Sequence, residues 1–146
     1  MTYFNQFDIS LWQACDTYYF EHQALYLRLQ DDHEVNINLL LLSIWLDKQA
    51  YQLLPQAWST LTQEVRQWEE RVLLPYRKLR KLSKNSLAEA EYQEMLDLEL
   101  ILERKSQALI LHKLRLLPHE GTGSNFEVYL ELYQLNSADY LQLAAA

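Results

Sequence analysis

Apolar residues along much of this chain recur every three or four positions, the spacing that gathers them on one side of an α-helix. The clearest stripe is Trp58, Leu61, Val65, Trp68 and Val72, which follows Pro55. Proline suits a first helical turn because its missing N–H would have found no partner there. Upstream, Ile9, Trp12, Tyr19, Leu25, Leu27 and Leu29 predict helix from about Asp8 to Gln30. This is either one helix or two, interrupted by the β-branched and aromatic cluster Thr17 to Phe20. The stretch Ile37 to Leu53 is apolar on most sides and reads as the central element. Asn36 or Asn38 stands where it can cap that helix by accepting from a first-turn N–H.

Pro75 interrupts the continuation LLPYRKLRKLSKN and predicts a kink or break, since it removes one hydrogen bond and crowds the preceding turn. Ser86 with Glu89 matches a reciprocal capping box and predicts a long helix to about Leu116. Pro118 and the small-residue loop GTGS stop it. Ser124 with Glu127 is a second capping box that opens FEVYLELYQL, and a short terminal helix follows. No alternating strand pattern and no internal repeat is visible. The expectation is an all-α protein, a compact bundle of five to seven helices in which residues 1–146 form a single domain.

Composition adds constraints. With 49% hydrophobic and 23% charged residues, the bulk of the chain has the apolar content to fold. Only 2 Gly and 3 Pro occur, which leaves little material for tight turns. A net charge of -7 argues against wholesale nucleic-acid coating, although a local basic patch still binds anions. The lone Cys15 has no partner for an internal disulfide, which points to a reducing cytoplasm. The first Lys or Arg is Arg28, so an export signal with a basic start is not expected. The longest apolar run, Leu39 to Leu46, falls far short of the ~20 residues of a bilayer crossing, so no transmembrane segment is expected.

Several motifs together resemble a family. Leu29-Gln30-Asp31, Val35-Asn36, Leu39-Leu40-Leu41 and Trp45 stand in that order, followed by Trp68, Val72, Pro75, Arg77, Arg80 and Lys81, then by an acidic segment from Glu89 to Glu103. This arrangement resembles an uncharacterised proteobacterial helical family, a domain of unknown function sometimes encoded near an ABC-F type ATPase. The resemblance covers roughly residues 7 to 105 and implies a helical cytoplasmic protein. It brings no catalytic residues. Two departures stand out: Tyr18 to His22 replace an Arg-Pro-Gly turn, and Glu34 replaces a Gly before the Val-Asn element.

Candidate chemistry is sparse. Gln30, Asp31, His33, Asn36 and Asn38 form a polar cluster that serves either as helix caps or as part of a ligand pocket, with Gln30, Asp31, Asn36, Trp45 and Arg77 as its residues. No metal site is expected: the four histidines are scattered, and none has Glu three residues before it, as a helical di-metal centre needs. Glu99 and Glu103 share a helix face, a spacing that suits salt bridges better than catalysis without a partner motif. Gly121 and Gly123 lead into Ser124-Asn125-Phe126 rather than the Lys-Ser of a phosphate loop. No cofactor and no catalytic residue is assigned, and an enzyme is the less favoured reading.

The uneven feature is basic. Arg71, Arg77, Lys78, Arg80, Lys81 and Lys84 crowd one segment of an acidic chain. They either pair with Glu89, Glu91, Glu94, Asp97 and Glu99 on the next, antiparallel helix, or bind a partner. The expected function is a non-enzymatic cytoplasmic adaptor holding an acidic or anionic macromolecule through this basic helix, with a protein favoured over nucleic acid. A small-ligand-binding protein or enzyme, and a structural homodimer, are the alternatives.

Overall fold

The computed structural model describes residues 7–121 and 123–145. The chain is built from helices α1 (Leu11–Glu21), α2 (Gln23–His33), α3 (Ile37–Lys48) and α4 (Pro55–Trp68). A π-helical turn (Glu69–Leu73) leads directly into α5 (Leu74–Ser83), and a 3-10 turn (Lys84–Ser86) follows. Then come α6 (Glu89–Leu114), α7 (Asn125–Glu131) and a 3-10 turn (Ser137–Tyr140) continued by α8 (Leu141–Ala144). Taking α4 through α5 as one rod and the last two as another gives seven helices among the described residues, with no strand. The all-α expectation holds. One isolated antiparallel bridge, Leu53 with His119, ties the α3–α4 link to the segment after α6.

Three boundaries differ from the sequence reading, each for a local reason. The first segment, open between one helix and two, is two, and they part at His22 rather than within Thr17 to Phe20, since its φ of -138° leaves the helical region. The central helix ends at Lys48 rather than Leu53, because Ala50 turns to a positive φ of 54° and sends the chain back toward α4. Ser86 does not cap α6. It closes the 3-10 turn, and Glu91 instead accepts from the N–H of Ala88 at 2.9 Å, so the helix starts two residues after Leu87. The break expected at Pro75 takes the form of the π turn just before it, where Leu74 N–H donates to Glu69 C=O. Proline therefore enters as an early residue of α5, where it has no bond to lose.

Helix α3 is the hub. Every residue from Leu39 to Leu46 is buried, including Ser43, whose hydroxyl donates to the Leu40 carbonyl at 2.6 Å. Each fully buried leucine contributes roughly 2 kcal/mol of hydrophobic stabilisation. One apolar cluster runs through the described residues from Phe7 to Leu143. Asn36 caps the start of α3, its Oδ1 accepting from Leu39 N–H at 3.0 Å.

Helix α7 has seven residues, too few to be stable alone, and α3 supplies its cap. Asp47 accepts from Asn125 N–H at 2.7 Å, Phe126 N–H at 3.1 Å and the Ser124 hydroxyl at 3.0 Å. Ser124 in turn accepts from Glu127 N–H at 3.1 Å, as its capping motif predicted. The fully buried Asn125 accepts from Leu53 N–H at 2.9 Å and Trp58 Nε1 at 3.3 Å, and donates to Tyr51 C=O at 2.7 Å.

Two stability changes follow. Asp47→Ala removes a charged acceptor from three donors and is expected to cost ~2–3 kcal/mol in urea denaturation; a loss no larger than that of an ordinary surface change would show that the cap is dispensable. Glu34 ends α2 at a φ of 58°, the left-handed conformation that glycine adopts without strain. Glu34→Gly is therefore expected to stabilise by ~0.5–1 kcal/mol, and a destabilised variant would show that its side chain contributes more than its backbone strain costs.

Candidate functional site

The basic segment divides into two faces. On the inner one, Arg77 donates to Glu103 at 2.8 Å and lies 3.6 Å from Glu99. Arg80 pairs with Glu99 and also donates to the Tyr92 hydroxyl at 2.9 Å. Those two bonds hold its guanidinium above its already high pKa. Tyr76 donates to the Met95 carbonyl at 2.9 Å, and Trp68 Nε1 to the Leu102 carbonyl at 3.0 Å. These contacts zip α5 antiparallel onto the first part of α6. The expected pairing with the acidic segment is thus real for Arg77 and Arg80, with Glu99 as its centre.

The outer face is different. Arg71, Lys78, Lys81 and Lys84 are exposed, and among them stand Leu74, Leu79 and Leu82, the last 73% exposed. The Lys84 ammonium lies 5.9 Å from the Tyr92 ring centre, at the hairpin tip. No residue of α5 is buried, and α6 buries none before Ser106. The hairpin of α5 and early α6 therefore stands outside the core, stitched by ion pairs and aromatic hydroxyls while Leu74, Leu79 and Leu82 face water.

The π turn accounts for this inversion. The stripe Trp58, Leu61 and Val65 faces the core, and continued without interruption it would direct Leu79 toward α6. One extra residue in the turn shifts the phase, so that Arg77 and Arg80 point inward instead. The sequence signal for this was the pairing of leucines and cations in LRKL; the phase shift itself had none.

The polar cluster ahead of α3 is dispersed. Gln30 and Asp31 are exposed at the end of α2, Trp45 is buried in α3 with its ring edge on Phe7, and Arg77 is held by α6. Asn36 alone enters a larger network. Its amide donates to Glu69, and the Tyr129 hydroxyl accepts from Asn36 N–H at 3.2 Å and meets the Tyr133 hydroxyl at 2.9 Å. Burial pushes the Glu69 carboxyl above the usual glutamate range, against the pull of Arg77, Arg66 and the Asn36 amide. The fully buried Tyr129 is raised for the same reason. Sequence reasoning missed both Glu69 and Tyr129, since neither sits in a motif.

The remaining groups do not converge. Burial pushes the Cys15 thiol up to about 12, which keeps it protonated and unreactive. Among the described residues no three metal-binding side chains are grouped. A hollow of about 320 Å³ is lined by Glu127, Glu131 and Asn136, and another of about 250 Å³ by Trp68, Arg71 and Leu109. Neither includes Gln30, Asp31, Asn36 or Trp45. No helix among the described residues is long and apolar enough to cross a membrane.

A family model described as a protein of unknown function, DUF2390, matches residues 10–110, from the start of α1 to near the end of α6. No curated protein and no solved structure matches the chain.

The Glu69 network has a pH signature. Above the ordinary glutamate pKa, native Glu69 still holds a proton that the unfolded chain has released, so its contribution to stability falls as pH rises through the raised value. In Glu69→Gln that slope is absent, and the variant's urea midpoint is expected to gain on wild type from acidic to neutral pH. A wild type that gains on the variant over the same range would contradict this assignment.

Proposed function

The chain belongs to the DUF2390 family of proteins of unknown function, and from its own residues we propose that it is a non-enzymatic cytoplasmic adaptor that holds an acidic macromolecular partner. The docking face is the outer side of α5. One observation carries the reading: Arg77 and Arg80 are consumed by Glu99 and Glu103, whereas Lys78 and Lys81 stand exposed among Leu74, Leu79 and Leu82. A face that served only the hairpin would turn its leucines inward. Exposed apolar side chains ringed by one sign of charge are the composition of a contact surface for an oppositely charged partner.

A protein partner fits better than nucleic acid, because leucines occupy the positions between the cations and the chain as a whole is acidic. The small-ligand reading has less support, with Gln30 and Asp31 exposed on α2, Trp45 buried in the core and Arg77 held by α6.

The two faces make separable predictions. Lys78→Glu with Lys81→Glu is expected to leave helicity intact and weaken capture of the acidic partner about tenfold or more, as raising the salt also does. Arg77→Ala with Arg80→Ala is expected instead to loosen the hairpin, seen as faster amide exchange in α5. Unchanged capture by the folded lysine variant would end the adaptor reading.

A further inference from the structure

The outer faces of the hairpin's two helices are chemically complementary to each other. On α5, Lys78 and Lys81 stand with Leu79 and Leu82; on α6, Glu94 and Asp97 stand with Leu98 and Ile101, the last 60% exposed. In both helices the apolar pair is spaced three residues apart, which puts its members on neighbouring turns of one side. The two faces belong to one hairpin and point away from the contact that joins its helices, so one copy does not bring them together.

We propose that the acidic partner of α5 is the α6 face of a second copy of this chain. This rests on the reading of the α5 outer face as a docking surface for an acidic partner. Each contact sets the α5 outer face of one copy against the α6 outer face of the next, a head-to-tail association that leaves one unused face at each end. Leucine and isoleucine side chains meet inside it, with Lys–Glu and Lys–Asp pairs at the rim. The contact covers Leu79, Leu82, Leu98 and Ile101, all exposed in a single copy. An anionic membrane or a nucleic acid fits less well, because leucines stand between the cations of α5 and the chain as a whole is acidic.

The test is the mass in solution of the full chain, by sedimentation with concentration and salt varied. Wild type is expected above the chain mass, rising with concentration and falling back with salt. Lys78→Glu/Lys81→Glu and Glu94→Lys/Asp97→Lys, each checked for native helicity, are expected at the monomer mass. Mixing the two variants restores the association, because each reversed face then meets a reversed face and each unchanged face an unchanged one. A monomeric wild type would overturn the second-copy assignment; if it still captures another acidic protein through Lys78 and Lys81, the adaptor reading survives. An association untouched by either reversal would overturn the assignment, and with unchanged capture by the lysine variant the docking face itself.

Discussion

The carboxylate of Asp47 holds this fold closed. It lies at the end of α3 and caps α7, a helix too short to persist without help. From there the order propagates. The capped helix presents Tyr129 to Asn36 at the other end of α3, so α7 runs back along α3 and grips both of its termini. Asn125, one residue into the cap, meets the backbone of Tyr51 and Leu53 and the indole of Trp58, which sets where α4 leaves the α3–α4 link. A buried polar network of this kind is tolerated because its groups are satisfied, and it specifies one arrangement where leucines alone would accept several.

The second organising device is the junction of α4 with α5. Up to Val65 the rod belongs to the core; beyond the π turn it belongs to the hairpin. Glu69 sits at that junction and bonds Asn36, so the start of the central helix and the root of the hairpin share one contact. The two parts of the molecule are held by different physics. Apolar burial dominates the body, whereas ion pairs and hydroxyl contacts carry much of the hairpin, which exposes it to salt in a way the body is not.

Much of the fold was legible in the sequence because it rests on local signals. Periodicity located the helices, Asn36 and Ser124 capped where their side chains allowed, and the lone Cys15 was buried. Boundaries failed where backbone conformation overrode side-chain type, as at Ala50 and Ser86. The candidate site was half legible. The cations of α5 were visible as a group, but their division between Glu99 and water depends on helix phase, a sum over every residue of the rod. Glu69 was invisible because its meaning comes from Asn36, 33 residues away.

The π turn has a consequence for how this chain tolerates changes in length. A π turn is an α-helix carrying one surplus residue. Deleting a single residue from Glu69 to Leu73 would restore plain α-helical register and turn everything beyond it by about 100°. Leu79 would then turn toward α6 and Arg80 away from Glu99, so that an apolar contact would replace an ion pair. The chemistry of this helix contact thus depends on a single codon.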